Sequence, residues 1–385
     1  MNFKFRNLST ISDRHPFVEV GVGLRGITIL KGKNGSSKST AARAMFCTVN
    51  GFYQMEETIT SIKIAKIKAR LRRVNGKENR DENNVSLHHK VATQIYHEAL
   101  NQTDTMAYLT ETIKTAFPAE ENQAEKGIDY PAVLGTAVAE IAEILQREAS
   151  DIMAPFVMKY FDNEFKGEIS NVHSKEQVTE FTVETYRENT FKIKNNKEVV
   201  LERLFSVPNR AFYLDNVFAM DMAHDAGESD VDELITTRGN ILRQAHLMMF
   251  LSEAEQTVEP AVQKVIDRIG KIIGGQVYKQ KRDFVYQQKN KENTIRLVNV
   301  STALKPFMMI QRLLQNGSLI PGGILILDKI DVYLDEKYKK YLDALIIVLN
   351  KELGIKSLII SDNTKGLEEM LEKEESIAYE INMLS

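Results

Sequence analysis

The chain of 385 residues is short of the features that mark secreted, membrane-anchored or metal-built proteins. Its one cysteine, Cys47, excludes an internal disulfide and suits a reducing cytoplasm; placed on a helix, it reads as a small core residue. No apolar run approaches the ~20 residues that cross a bilayer, so no membrane association is expected. Neither sign of charge is in excess, and a net charge of −3 leaves only a local basic patch to consider for nucleic acid. The histidines (His15, His88, His89, His97, His173, His224, His246) are scattered. His88 and His89 are adjacent, but neighbours on a helix point apart, so no structural metal is expected. There is no nucleophile elbow, paired-cysteine motif, internal repeat or low-complexity tract. The start, Met1 to Arg6, alternates apolar and polar side chains and reads as a first strand rather than a signal peptide. What is present is an ordinary globular composition, 43% hydrophobic and 27% charged, long enough for two domains or one with a large insertion.

Against that background one stretch stands out, Gly32-Lys33-Asn34-Gly35-Ser36-Ser37-Lys38-Ser39-Thr40. An apolar run, 26–30, precedes it and a helix-like run, 40–46, follows. Strand, glycine-bearing loop, Lys-Ser-Thr and helix is the order of a phosphate-binding P-loop. Such a loop turns backbone N–H groups inward, places a helix N-terminus behind them and adds a lysine as a point charge. Lys38 is then expected at the β and γ phosphates and the Ser39 hydroxyl at Mg²⁺. The pattern G-x-x-x-x-G-K-S/T has glycine where this chain has Ser37. Glycine there permits positive φ, so Ser37 implies strain or a changed loop.

Strands are predicted over 2–8 and 17–30 around a turn at 12–16, and a helix from Ser39 ending near Asn50-Gly51. The segment 58–77 carries Lys63, Lys66, Lys68, Arg70, Arg72, Arg73 and Lys77 and no acid, with Ile64, Ile67, Leu71 and Val74 at helical spacing. It is either a basic amphipathic helix that meets DNA or an acidic partner, or a solvated face. A loop over 75–84, helices over 85–170, strands over 177–205, a buried strand at 210–215, a loop at 221–232, helix over 239–270 and hairpin strands over 276–298 complete the reading.

Near the other end, Gly323 to Asp328 is an apolar strand ending in an acid, the position from which a carboxylate supports Mg²⁺ in P-loop ATPases. It is followed by a helix from Lys337 and a buried strand, 356–360, ending in Ser361-Asp362-Asn363. Before it, Val300-Ser301-Thr302-Ala303-Leu304-Lys305 opens another helix. This order, and above all the stretch VSTALKPFMMIQRLLQNGSLIPGGILILDKIDVYLD, resembles the AAA/ABC-type ATPases of the OLD and RecF-like group, kin to SMC proteins.

The resemblance covers roughly 1–55 and 270–370. It implies an α/β P-loop NTPase fold, an ABC-type head with a mixed sheet flanked by helices. The head's halves are then 1–55 and 270–385, with a helical and β insertion over 56–269. It further implies ATP and Mg²⁺ bound by Gly32, Asn34, Gly35, Ser36, Ser37, Lys38, Ser39 and Thr40, with Asp328 supporting the metal. A head-to-tail homodimer would bring Ser301 of one protomer to the ATP of the other. Many members of the group serve DNA metabolism or anti-phage defence. The residues after Asn363 are too few for the TOPRIM nuclease domain of OLD proteins, so any effector is expected on a separate chain. The Q-loop glutamine and the adenine-stacking residue are not placed; Gln54 is merely close in sequence.

The departures from the family pattern fall together. Glycines become Ser37 and Ala303, the general-base glutamate becomes Lys329 followed by Ile330, the switch histidine becomes Asp362, and L-H-P becomes Leu334-Asp335-Glu336. A protonated lysine takes no proton from water, and losing a general base costs on the order of 10²–10⁴ in rate. Three readings follow: a nucleotide-dependent switch with weak or absent hydrolysis, a non-catalytic nucleotide-binding scaffold that recruits an effector, and a DNA-binding protein acting through 58–77.

Overall fold

Apolar strands without alternation are buried on both faces, and the chain has several such runs. The computed structural model describes residues 1–9, 19–33, 35–74, 82–119, 129–218, 258–280 and 283–384. These fall into two compact units, Met1–Tyr53 with Ala154–Ser385, and Gln54–Met153.

The first unit holds three sheets. Strands β1 (Asn2–Arg6), β2 (Glu19–Gly23), β4 (Val178–Glu184), β5 (Glu188–Lys194) and β6 (Glu198–Leu201) form an antiparallel sheet in the order β2-β1-β4-β5-β6. Its register places Phe5 opposite Phe181 and Phe181 opposite Phe191, a row of rings on one face. Phe181 and Phe191 stack at 4.7 Å. Phe161, from the helix Ala149–Phe165, and Phe52 close over them at 4.7 and 5.0 Å, and Phe205 stacks on Phe52 at 4.0 Å.

Strands β3 (Ile27–Gly32), β7 (Ala211–Leu214), β11 (Ile324–Asp328), β12 (Lys356–Ile360) and β13 (Tyr379–Leu384) form a second sheet in the order β13-β3-β12-β11-β7. Every pairing in it is parallel. The mixed character expected of the sheet is thus divided between this parallel sheet and the antiparallel one. The expected single strand over 17–30 is broken before β3 by Gly26, at φ 66°. A Cβ there would lie 2.1 Å from the Ala378 carbonyl oxygen, so the turn admits only glycine.

Helix α1 (Lys38–Gly51) follows β3 on one face of the parallel sheet. The helices Pro260–Ile273, Lys305–Gln315 and Glu336–Leu353 share a core with the sheet's apolar side chains, among them Leu325, Leu327, Ile266, Ile269, Ile310 and Leu345. A three-stranded antiparallel sheet, β10-β9-β8 (Thr294–Arg296, Asp283–Gln288, Gly275–Gln280), realises the hairpin strands expected over 276–298. β13 and the short helix Lys365–Leu371 had no counterpart in the sequence reading.

The second unit is helical: α2 (Met55–Val74), α3 (Glu82–Glu98), α4 (Thr105–Ala116) and α5 (Tyr130–Gln146) around Ile67, Leu71, Ile95, Leu109, Ile113 and Ile141. The single insertion expected over 56–269 is therefore corrected. Residues 178–201 pair with the N-terminal strand β1, and 211–214 join the parallel sheet, so both belong to the first unit. The loop expected over 75–84 already turns helical at Glu82. The turn at 12–16, the loop at 221–232 and the start of the helix expected over 239–270 lie outside the described residues. No described helix is long and apolar enough to cross a membrane.

Phe191 is fully buried at the centre of the ring cluster. Phe191→Ala should lower unfolding free energy by about 3–5 kcal/mol, read as a shift in urea midpoint.

Candidate functional site

In a parallel sheet all strand C-termini share one edge, and ligands of open α/β sheets bind there. Of the expected site residues, Gly32, Gly35 to Thr40, Asp328, Lys329 and Asp362 lie at or just past strand ends on this edge. Gly32 at φ 156° and Gly35 at φ 85° bend the loop, and Ser36 N donates to the Lys33 carbonyl at 3.0 Å. A Cβ at Gly35 would meet nothing within 4 Å, so the loop opens outward there.

Ser37 takes φ 60° and ψ 26°, the left-handed conformation that a glycine would supply. The loop shape is thus kept, at a strain of roughly 1–2 kcal/mol for a residue with a Cβ. Ser37 also forms the N-cap of α1, and no acidic residue occupies that helix's first turn. The positive end of the helix faces the loop without a carboxylate of its own. Ser39 and Thr40 lie half-buried in this first turn. The Ser36 hydroxyl oxygen is buried without a partner. Asn34 lies outside the described residues.

Lys38 is 7% exposed, and its ammonium donates to the carbonyls of Gly32 at 2.8 Å and Lys33 at 3.1 Å. The loop's own oxygens hold the cation in place, and phosphate oxygens can replace them. Asp328 ends β11 and is 6% exposed. Tyr213 Oη donates to its Oδ2 at 2.6 Å, while Oδ1 is buried without a partner. Burial, with the Asp328 charge and hydrogen bond, pushes the Tyr213 phenol well up, so it stays a donor. Asp215, one residue past β7, lies beside Asp328 because Leu214 pairs with Leu327. Partial burial and then the Asp328 charge push the Asp215 carboxyl up, against the favourable Arg43 guanidinium on α1.

Two of the residues singled out in the sequence meet each other. Lys329 Nζ lies 3.3 Å from Asp362 Oδ2, so the residues past the ends of β11 and β12 face each other. Lys329 is itself left-handed, at φ 53°, with its amide donating to Ile360 O at 2.8 Å. Nearby, the Ser361 hydroxyl donates to Asp331 Oδ2 at 2.6 Å, and Lys339 bridges Asp331 (3.7 Å) and Asp343. The loops after β11 and β12 are therefore tied by a backbone bond, an ion pair and a hydroxyl–carboxylate bond.

Ser301 is exposed at the start of a three-residue 3₁₀ turn, Thr302–Leu304, and its side chain caps nothing; helix Lys305–Gln315 begins beyond it. It is not brought to Lys38 within the described chain. Cys47 is fully buried in α1 beside the Tyr160 carbonyl, and burial pushes its thiol well up, as suits a core residue.

The basic helix α2 turns much of its charge inward. Lys63 donates to Leu145 O at 2.8 Å, Arg70 and Arg73 both pair with Glu140, and Lys68 is buried. Burial, then Arg147 and Arg70, push the Lys66 ammonium down. Lys77 lies outside the described residues.

Sequence reasoning missed Tyr213, Asp215 and Arg43. One signal was available: 211–215 is an apolar run ending in an acid, as is 324–328. Among the described residues no group of three or more His, Cys, Asp or Glu side chains could hold a metal by itself.

The chain matches no protein-family model and no curated protein. Among solved structures it is similar to an SMC head domain from Thermotoga maritima, at 13% identity over 96% of this chain and 90% of that one, with a TM-score of 0.36. It is also similar to an SmcHead solved with the C-winged helix domain of ScpA, at 10% identity over 95% and 90% of the chains, with a TM-score of 0.37. Both scores are low, and the α/β P-loop assignment rests on the parallel sheet, the loop and helix α1.

The Lys329–Asp362 pair is open to solvent, at 43% and 64% exposure, and should contribute little. A double-mutant cycle on Lys329→Ala and Asp362→Ala is expected to give a coupling of about 0.2–1 kcal/mol that fades with added salt.

Proposed function

We propose that the chain binds ATP with Mg²⁺ at the β3–α1 loop and works as a nucleotide-dependent switch with weak or absent hydrolysis. The observation that carries this is the loop itself. Gly32, Gly35 and left-handed Ser37 shape a backbone cradle, Lys38 is held at its mouth, and an acid-free helix end stands behind it.

The residues present suit the metal. Asp328 keeps one buried carboxylate oxygen with no partner, and Ser39 stands in the first turn of α1. Mg²⁺ is commonly held by one or two carboxylates together with substrate phosphates. Bound there, it would neutralise phosphate charge. Lys38 binds and orients the β and γ phosphates, and Tyr213 fixes the Asp328 carboxylate.

What the site lacks is a base. Lys329 occupies that position with its ammonium on Asp362, and Asp362 stands where the switch histidine would activate or place water. Binding without efficient turnover is the consequence. By the resemblance to OLD and RecF-like ATPases, the setting is DNA metabolism or anti-phage defence in the cytoplasm. Two protomers would pair head to tail, Ser301 of one at the phosphates of the other, and pass the nucleotide state to a separate effector. The DNA reading through 58–77 is weakened by the internal use of Lys63, Lys68 and Arg70.

Calorimetric titration of wild type should show ATP binding that Lys38→Ala weakens by tenfold or more, about 1.4 kcal/mol. Absence of binding by wild type would overturn the reading. Phosphate release should be negligible in wild type. Lys329→Glu, combined with Asp362→His to avoid facing carboxylates, should raise it by on the order of 10²-fold if only the base is missing.

A further inference from the structure

Two neighbouring strands end in the same way. β7 runs into Asp215 and β11 ends in Asp328, and the Leu214–Leu327 register sets the two acids side by side on one edge. The Asp328 side chain is 6% exposed. Its Oδ2 accepts from Tyr213, and its Oδ1 has no partner. A buried carboxylate oxygen left unpaired calls for an explanation, and an ion is one of the few on offer.

Asp215 opens into a cavity of about 490 Å³ lined also by Asn216, Phe218, Lys329 and Tyr333. The groups that face the two carboxylates are Arg43 from α1, whose charge favours the ionised Asp215, and the Tyr213 phenol from β7. Two carboxylates at adjacent strand ends, one with a buried oxygen that has no partner, are oxygen donors that a divalent cation would join.

We propose that Asp215 is a second cation-holding carboxylate of this site, sharing a divalent metal with Asp328. Two carboxylates do not complete a coordination shell, and waters or phosphate oxygens supply the rest. In supplying phosphate oxygens the inference rests on the nucleotide reading; in pairing Asp215 with Asp328 it stands on the strand register. It also explains how a site that has lost its acid at 329 keeps two carboxylates at the strand ends.

Mn²⁺ is the probe, followed by its electron paramagnetic resonance signal on the full chain with and without ATP. Asp215→Asn and Asp215→Ser are each expected to weaken Mn²⁺ binding by at least about tenfold, since loss of mere outer-shell partners already costs 10–100-fold. Both should also abolish the rise in melting temperature that Mn²⁺ gives wild type. Mn²⁺ affinity unchanged in the two variants would overturn the proposal, as would absence of Mn²⁺ binding by wild type with or without ATP. Titrating wild type with ATP in excess Mg²⁺ separates the two ideas. No ATP binding there, with Mn²⁺ binding lost on Asp215→Asn, would overturn the nucleotide reading and uphold the shared cation site.

Discussion

The parallel register of β3, β12, β11 and β7 is the constraint on which everything at the site depends. Parallel pairing brings the P-loop, Ser361, Asp328 and Asp215 to one edge although they come from distant parts of the chain. It also requires crossovers, and these supply the helices that bury both faces of strands with no polar side. Slipping β7 by one residue would turn Tyr213 away from Asp328 and leave a buried carboxylate without its donor.

The unusual residues of this edge are not independent of one another. Ser37 adopts the backbone that glycine would have given. Lys329 and Asp362 answer each other in charge, and the loops that carry them are further joined through Lys329 N–Ile360 O and Ser361–Asp331. Here Lys329 and Asp362 meet the edge with complementary charge.

Much of this was legible from residues alone, for identifiable reasons. The loop, α1, the acidic strand and the Ser361-Asp362 strand are local patterns, each carried by consecutive residues. The ring row of Phe5, Phe181 and Phe191 needed the pairing of 2–6 with 178–184, which no local signal encodes. The same pairing moved the boundary of the separate unit to 54–153, because a strand belongs where its hydrogen bonds are. Tyr213 and Asp215 were readable as a strand and its end, but their closeness to Asp328 is a property of register. β13 went unread for a similar reason: its alternation, with Tyr379 and Ile381 partly exposed, becomes a strand only beside β3.

Helix α1 has one more consequence. Its first residues form the phosphate loop's cap, and just past its last turn Phe52 is inserted among the rings of the antiparallel sheet, stacked on Phe205 and 5.0 Å from Phe191. The Phe52 carbonyl also accepts from Val207 N at 2.8 Å. A helix of 14 residues is a rod of about 21 Å at 1.5 Å per residue, stiff on that scale. Close-packed rings do not yield continuously. Helix α1 thus joins the β3–α1 loop at one end to the aromatic face at the other, as a single stiff element.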